Sequence, residues 1–321
     1  MSTRNPNTVA ALAVAALAVA ALALAGPSAA AASEETPAPA PHSQAAFSFG
    51  LIADVQYWGG PTKGTRHYSE STAKLAAAAE TINDKNVDFT TQLGDIIDRD
   101  AASFDTILPV WESIDGPRYS VLGNHDFPQM YSDEVVSKLH MSNEYYQWTH
   151  QNWRFVVLDT TDISLFANAP DTEDYRQAEE TLAKLKDEGA VNAQSWNGAV
   201  GEEQLAWLAG TLDDAAAEDQ EVIVFGHNPI NGTNVHNAWN SPEIRKVLES
   251  RGNVAAYFNG HDHAGRYAQD NGIHYVNLKG MVEDAVPANA YAIVKVQQHQ
   301  LRIDGFGNEP DRTLKISANA R

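Results

Sequence analysis

Gln92-Leu93-Gly94-Asp95-Ile96-Ile97-Asp98 is the stretch from which the fold can be read. The β-prone run 89–93 stops at a glycine followed by an aspartate. Glycine permits a sharp turn that a Cβ would obstruct. The turn sets a carboxylate just beyond the carboxyl edge of a buried strand, where α/β sheets bind ligands. Four other strand-like runs end in the same way. Residues 46–53 lead into Asp54-Val55-Gln56, and 118–122 into Gly123-Asn124-His125-Asp126. Residues 222–225 lead into Gly226-His227, and 254–258 into Gly260-His261-Asp262-His263.

Each ending has a bland reading. Asp54 and Gln56 read equally well as a loop aspartate and a surface glutamine. Asn124 reads as a helix cap, and a lone histidine after a strand is usually a satisfied loop or core residue. Taken together, five separate strand ends carrying oxygen or imidazole ligands point to a metal centre. In an extended segment residues two apart point the same way. On that basis Asp54 and Gln56 are expected to face one ion, and His261 and His263 one or two. His125 is expected to face a substrate rather than an ion, with Asp126 orienting its ring.

Composition narrows the chemistry. The chain has 321 residues, 43% of them hydrophobic, which suffices for a packed core in one large or two small domains. A formal charge of −20 opposes nucleic acid polymers. A small phosphate ester stays admissible, because metal cations locally reverse the field. There is no cysteine, which excludes disulfides, thiolate metal sites and cysteine nucleophiles. Oxygen and imidazole shells suit manganese, magnesium, iron or zinc.

The amino terminus carries Arg4, an apolar stretch over 8–26 and a run of alanines to Ala32. Residues 1–32 read as a cleaved secretory signal peptide, with an uncleaved anchor as the alternative. The expectation is an exported protein without a stable membrane anchor. Residues 33–45 read as a disordered Pro/Ala linker, 46–309 as the catalytic domain and 310–321 as a tail. Helical spacing predicts helices over 72–85, 104–114, 174–186, 202–216 and 242–250. Residues 145–149 and 153–159 read as an antiparallel hairpin. Residues 160–197 break the strand–helix rhythm and read as an insertion covering the site. Residues 272–278, 291–296 and 300–304 read as closing antiparallel strands.

As an ordered set over about 47–307, these motifs resemble the calcineurin-like metallophosphoesterase superfamily. The resemblance implies an α/β fold, a four-layer α/β/β/α sandwich of two mixed sheets. Motif by motif it implies that Asp54, Gln56, Asp95 and His263 hold one metal. Asp95, Asn124, His227 and His261 would hold a second. His125, partnered by Asp126, would contact the scissile phosphate and help the leaving oxygen depart. Most members have histidine where this chain has Gln56. Gln56-Tyr57, Arg66-x-Tyr68, Gly265 and Tyr267 instead resemble the manganese-dependent ADP-ribose/CDP-alcohol diphosphatase branch. That likeness implies two divalent cations, manganese before zinc, and hydroxide attack on a small nucleotide-like diphosphate or phosphodiester. Trp58, Arg66, Tyr68 and Tyr267 are the expected substrate contacts. Trp58 would stand in for an aromatic that the branch carries on a longer loop. The flanking loop also reads as one packed by its own aromatics. A cyclic-nucleotide phosphodiesterase, a broad phosphomonoesterase and a secreted ion-binding module stay open, and nothing in the sequence bears on oligomeric state.

Overall fold

The structure, a computed structural model, describes residues 46–316. The chain lays down β1 (Phe47–Ile52), crosses over α1 (Ser71–Lys85) to β2 (Phe89–Gln92), then over α2 (Ala102–Glu112) to β3 (Arg118–Ser120). These three strands are parallel. On the other side of β1, three antiparallel strands complete the first sheet: β10 (Ala290–Gln297), β11 (Gln300–Gly307) and β12 (Arg312–Lys315). Its order is β12-β11-β10-β1-β2-β3.

The second sheet begins with the expected hairpin, β4 (Tyr146–His150) and β5 (Trp153–Val157). It continues in parallel through β6 (Glu221–Phe225), β7 (Val254–Asn259) and β9 (Ile273–Lys279), and β8 (Ala264–Asp270) closes it antiparallel to β9. Between the sheets lies an aromatic core. Phe49 and Phe89 stack at 5.0 Å, and Phe89 meets Phe155 edge-on at 4.9 Å. Such pairs add to area burial and fix how the two faces interdigitate.

Helices cover both outer faces. Leu75 and Ile82 of α1 and Phe104 and Ile107 of α2 bury against Ile52, Leu122 and Ile293 of the first sheet's side. On the second sheet, α5 (Glu202–Ala217) and α6 (Ser241–Glu249) bury Leu208, Leu212, Ile244 and Leu248 against Val156, Val224 and Tyr257. The result is the expected four-layer α/β/β/α sandwich of two mixed sheets.

Two expectations need correction. Residues 272–278, expected to be one of the closing antiparallel strands, fall in β9, which lies in the other sheet, parallel to β7 and antiparallel to β8. The segment from 310 is not a tail up to 316, because β12 pairs with β11 and buries Leu314. Two elements lacked a strong periodic signal, the short α3 (Ser132–Lys138) and the edge strand β8 with its alternating exposure. The signal-peptide and linker readings, 1–32 and 33–45, lie outside the described residues. Among the described residues no helix is long and apolar enough to cross a membrane.

Two sets of parallel strands bring five carboxyl ends together. Backbone bonds tie the turns that follow them: Asp54 N–H donates to Gly94 O (3.3 Å), Gln56 N–H to Asp95 O (2.8 Å) and Gly260 N–H to His227 O (3.1 Å).

Candidate metal centre

Where the strands end, the backbone leaves extended geometry. Asp54 (φ 51°), Gln56 (φ 44°), Asp95 (φ 58°) and His261 (φ 69°) all adopt left-handed conformations. Such strain on non-glycine residues persists only where the surroundings enforce it, and it gathers at functional sites. It also corrects the geometry expected of Asp54-x-Gln56, since these side chains converge through two left-handed turns and not through strand alternation.

The glycines that precede the ligand-type residues leave room for their neighbours. Gly94 sits at φ 94°, and a Cβ there would come within 2.5 Å of His227 Nδ1. At Gly123 a Cβ would meet the Asp95 carboxylate at 2.3 Å. Glycine therefore does two things after β2. It turns the chain, and it lets imidazole and carboxylate from different strands approach one another.

The structure brings Asp54, Gln56, Asp95, Asn124, His227, His261 and His263 into one cluster. His227 Nδ1 donates to the Leu93 carbonyl (2.8 Å), which turns Nε2 inward to 3.3 Å from both Asn124 Oδ1 and Asp95 Oδ2. With a neutral ring all three atoms are acceptors, so the arrangement calls for a proton or a metal cation between them. His263 repeats the pattern. Its Nδ1 donates to Glu283 Oε1 (2.6 Å), and Nε2 lies 3.5 Å from Asp54 Oδ1. Ligand atoms of Asp95, His227 and His261 lie within 4.8 Å of one another. Gln56 Oε1 is buried with no hydrogen-bond partner, an acceptor lacking its donor or cation. An all-oxygen-and-imidazole set with crowded acceptors and an orphaned amide oxygen fits divalent cations.

Electrostatics agree. Burial opposes charge on His227 and His263, yet Asp95 beside the one and Asp54 beside the other outweigh it and raise both to about 9. Burial likewise works against ionised Asp95, and His227, His125 and His261 overcome it and hold the carboxyl well below its usual range. His261 goes the other way, lowered by burial and by its neighbour His227.

The family model described as calcineurin-like phosphoesterase matches residues 47–265. This chain belongs to that family. Two of its relatives are manganese-dependent ADP-ribose/CDP-alcohol diphosphatases. The one from Oryza sativa subsp. japonica is 32% identical over 84% of this chain and 94% of its own length. The human one is 28% identical over 85% and 93%. The crystal structure of a dimetal phosphatase from Danio rerio superposes with a TM-score of 0.79 at 27% identity, over 84% of this chain and 99% of that one. The protein is accordingly a metal-dependent phosphoesterase.

Beside the cluster of this phosphoesterase stands His125, which lines a cavity of about 320 Å³ together with Arg66, Gln56, Asp95 and Asn124. Asp126 does not orient its ring. Both Asp126 oxygens are taken by backbone N–H groups of Asp95 (2.9 Å), Gly123 (2.9 Å), Ile96 (2.8 Å) and Ile97 (3.4 Å). The short 3-10 turn Asn124–Asp126 rotates that carboxylate inward, under the Asp95 loop. His125 Nδ1 meets Asp98 Oδ1 instead, at 3.1 Å. Burial would lower the His125 pKa, but the charges of Asp95 and Asp98 raise it.

Of the four expected substrate contacts, only Arg66 lines this cavity, 3.7 Å from Glu283. Tyr68 is 1% exposed, and its hydroxyl accepts from Arg99 (3.2 Å). Trp58 meets Tyr68 edge-on at 5.7 Å with the Arg99 guanidinium 5.0 Å over its ring. The loop is therefore packed by its own aromatics, the alternative reading of that segment. Tyr267 stacks on His274 and lines a separate cavity with Tyr275 and Ile230. Sequence reasoning missed Trp196 and His236, which complete the wall, and Asn197, whose Oδ1 lies 2.9 Å from His261 Nε2. For Trp196 and Asn197 the signal was the break in rhythm over 160–197, whose end reaches the centre; His236 had none.

Proposed function

We propose that this protein is an exported, manganese-dependent phosphoesterase that hydrolyses the diphosphate bond of small nucleotide-like substrates of the ADP-ribose/CDP-alcohol type. The observation that carries the reading is the convergence of seven oxygen and imidazole ligand groups, five of which (Gln56, Asp95, Asn124, His261 and His263) line one cavity with His125. Asp54, Gln56, Asp95 and His263 would hold one divalent ion, and Asp95, Asn124, His227 and His261 would hold a second. Bound there, the pair supplies charge neutralisation on the phosphoryl oxygens and activation of water as the nucleophile.

The chain's own groups do the rest. Arg66 offers a cation to phosphate oxygens from the cavity wall. Asp98 holds His125 by Nδ1, which leaves Nε2 to donate a proton to the departing oxygen. The charges of Asp95 and Asp98 favour the protonated ring. Trp196, 43% exposed at the rim, offers the stacking surface for a base or sugar that Trp58 does not. The apolar segment 8–26 behind Arg4 supports export.

A product-resolved comparison in manganese tests the proposal, with ADP-ribose, a CDP-alcohol, a cyclic nucleotide and nitrophenyl phosphate as substrates. The expected result is cleavage of the diphosphates into two monophosphates at the highest kcat/KM. Preference for the cyclic nucleotide or the monoester by about tenfold or more, roughly 1.4 kcal/mol of transition-state binding, would overturn it.

A further inference from the structure

We propose that Asn197 is a positioning residue for the metal centre: it fixes the tautomer of His261 so that Nδ1 carries the ligating lone pair. The inference rests on the reading of His261 as a metal ligand, and it gives the 160–197 insertion a part in metal binding.

The argument is one of hydrogen-bond polarity. The Asn197 side chain is fully buried. Its Nδ2 donates to the backbone carbonyls of Val235 (2.7 Å) and Asn192 (3.0 Å). Both amide hydrogens are thereby spent on groups that can only accept, which fixes the orientation of the amide. Oδ1 must then be what faces His261 Nε2 at 2.9 Å. An amide oxygen only accepts, so the ring nitrogen opposite has to carry the proton. The other tautomer would set two lone pairs against each other at hydrogen-bond distance, out of reach of water.

A second amide locks the first. Asn228 Nδ2 donates to the same Asn197 Oδ1 (3.2 Å), and Thr160 Oγ1 donates to Asn228 Oδ1 (2.8 Å). The Tyr257 hydroxyl donates to the Asn228 carbonyl (2.8 Å). Thr160, Asn228 and Tyr257 are buried. A dry network thus links Thr160 at the start of the insertion, through Asn228, to Asn197 at its end, where one amide oxygen accepts from both Asn228 and the imidazole. With the proton held on Nε2, Nδ1 is the nitrogen left for the cluster of Asp95 and His227. Groups that hold a ligand imidazole in this way typically contribute about 10–100-fold to metal affinity.

Two measurements test it, and neither reads turnover. In the metal-free wild-type protein, long-range proton–nitrogen correlation spectra of 15N-histidine should show His261 protonated on Nε2 and bare on Nδ1. The opposite assignment overturns the inference. Calorimetric manganese titrations then compare Asn197→Leu with Asn197→Asp, both of which lose the bonds to Asn192 and Val235. Asn197→Asp keeps an acceptor for Nε2–H and should bind manganese within a few-fold of wild type. Asn197→Leu should bind about 10–100-fold more weakly. Equal losses in the two variants, or none in either, would show a merely structural residue. Should Asn197→Leu fail to fold, the wild-type spectrum decides alone. No manganese uptake by the wild type would remove the metal centre and this inference with it. A substrate other than a diphosphate would leave both measurements as they stand.

Discussion

Asp126 and Asp98 stand near the same histidine and do different work. Asp126 accepts four backbone N–H bonds under the Asp95 loop. Each buried donor left without a partner costs about 1–3 kcal/mol. Asp126→Ala should therefore lose about 3 kcal/mol or more of stability, measurable by denaturant unfolding. Asp98→Asn should fold normally and lower kcat about 10–100-fold with little change in KM. It should also move the alkaline limb of the kcat profile to lower pH. The sign follows from charge: Asp98 helps raise the His125 pKa, so removing that charge lets the proton leave sooner. An unshifted limb would refute the Asp98–His125 assignment. At the rim, Trp196→Ala should raise KM for nucleoside diphosphates about tenfold while nitrophenyl phosphate turnover stays put, as loss of a stacking surface predicts. Equal effects on both substrates would remove the stacking role.

At the scale of elements, the ends of β1, β2, β3, β6 and β7 were legible because their signal is local. A short β-prone run followed by a ligand-type residue, with a glycine between them at all but β1, is complete within about seven residues. Strand direction was not legible, because periodicity carries none. The return through β8 turns 273–279 parallel to β7. Nor were Asp98 and Asn197, whose partners are distant in sequence, 27 residues away at His125 and 64 at His261. Sequence proximity favoured Asp126 instead, and an aromatic loop favoured Tyr68, which folding turned inward. Helix α1 supplies a further long-range tie. Lys74 Nζ donates to the carbonyls of Met281 (3.0 Å), Val282 (3.3 Å), Glu283 (2.8 Å) and Asp284 (2.5 Å). That turn carries Glu283, the partner of His263 and Arg66. Lys74→Met should cost about 3 kcal/mol of stability, since it strips buried carbonyls of their donor. It should also weaken manganese binding through a loosened His263, read by calorimetry. A stable variant with unchanged metal affinity would separate the turn from the centre.

Over the whole molecule, the two sheets act as a frame that holds anionic and imidazole groups closer than they would rest on their own. The price is visible in protonation. His227 and His263 are raised to about 9, so at neutral pH the protein without its metals holds protons where cations would sit. Metal binding must expel them. Manganese affinity should accordingly fall as pH drops below about 9, by about tenfold per unit for each proton displaced. Affinity flat between pH 6 and 8 would contradict the ligand set. The overall charge of −20 favours cation entry and opposes polyanions, which is consistent with a small substrate. The most direct measurement of the central claim is anomalous diffraction at the manganese edge from crystals grown with manganese. Two peaks flanking the Asp95 carboxylate are predicted, one beside His263 and Gln56, the other beside His227 and Asn124. A single peak, or peaks away from these residues, would contradict it.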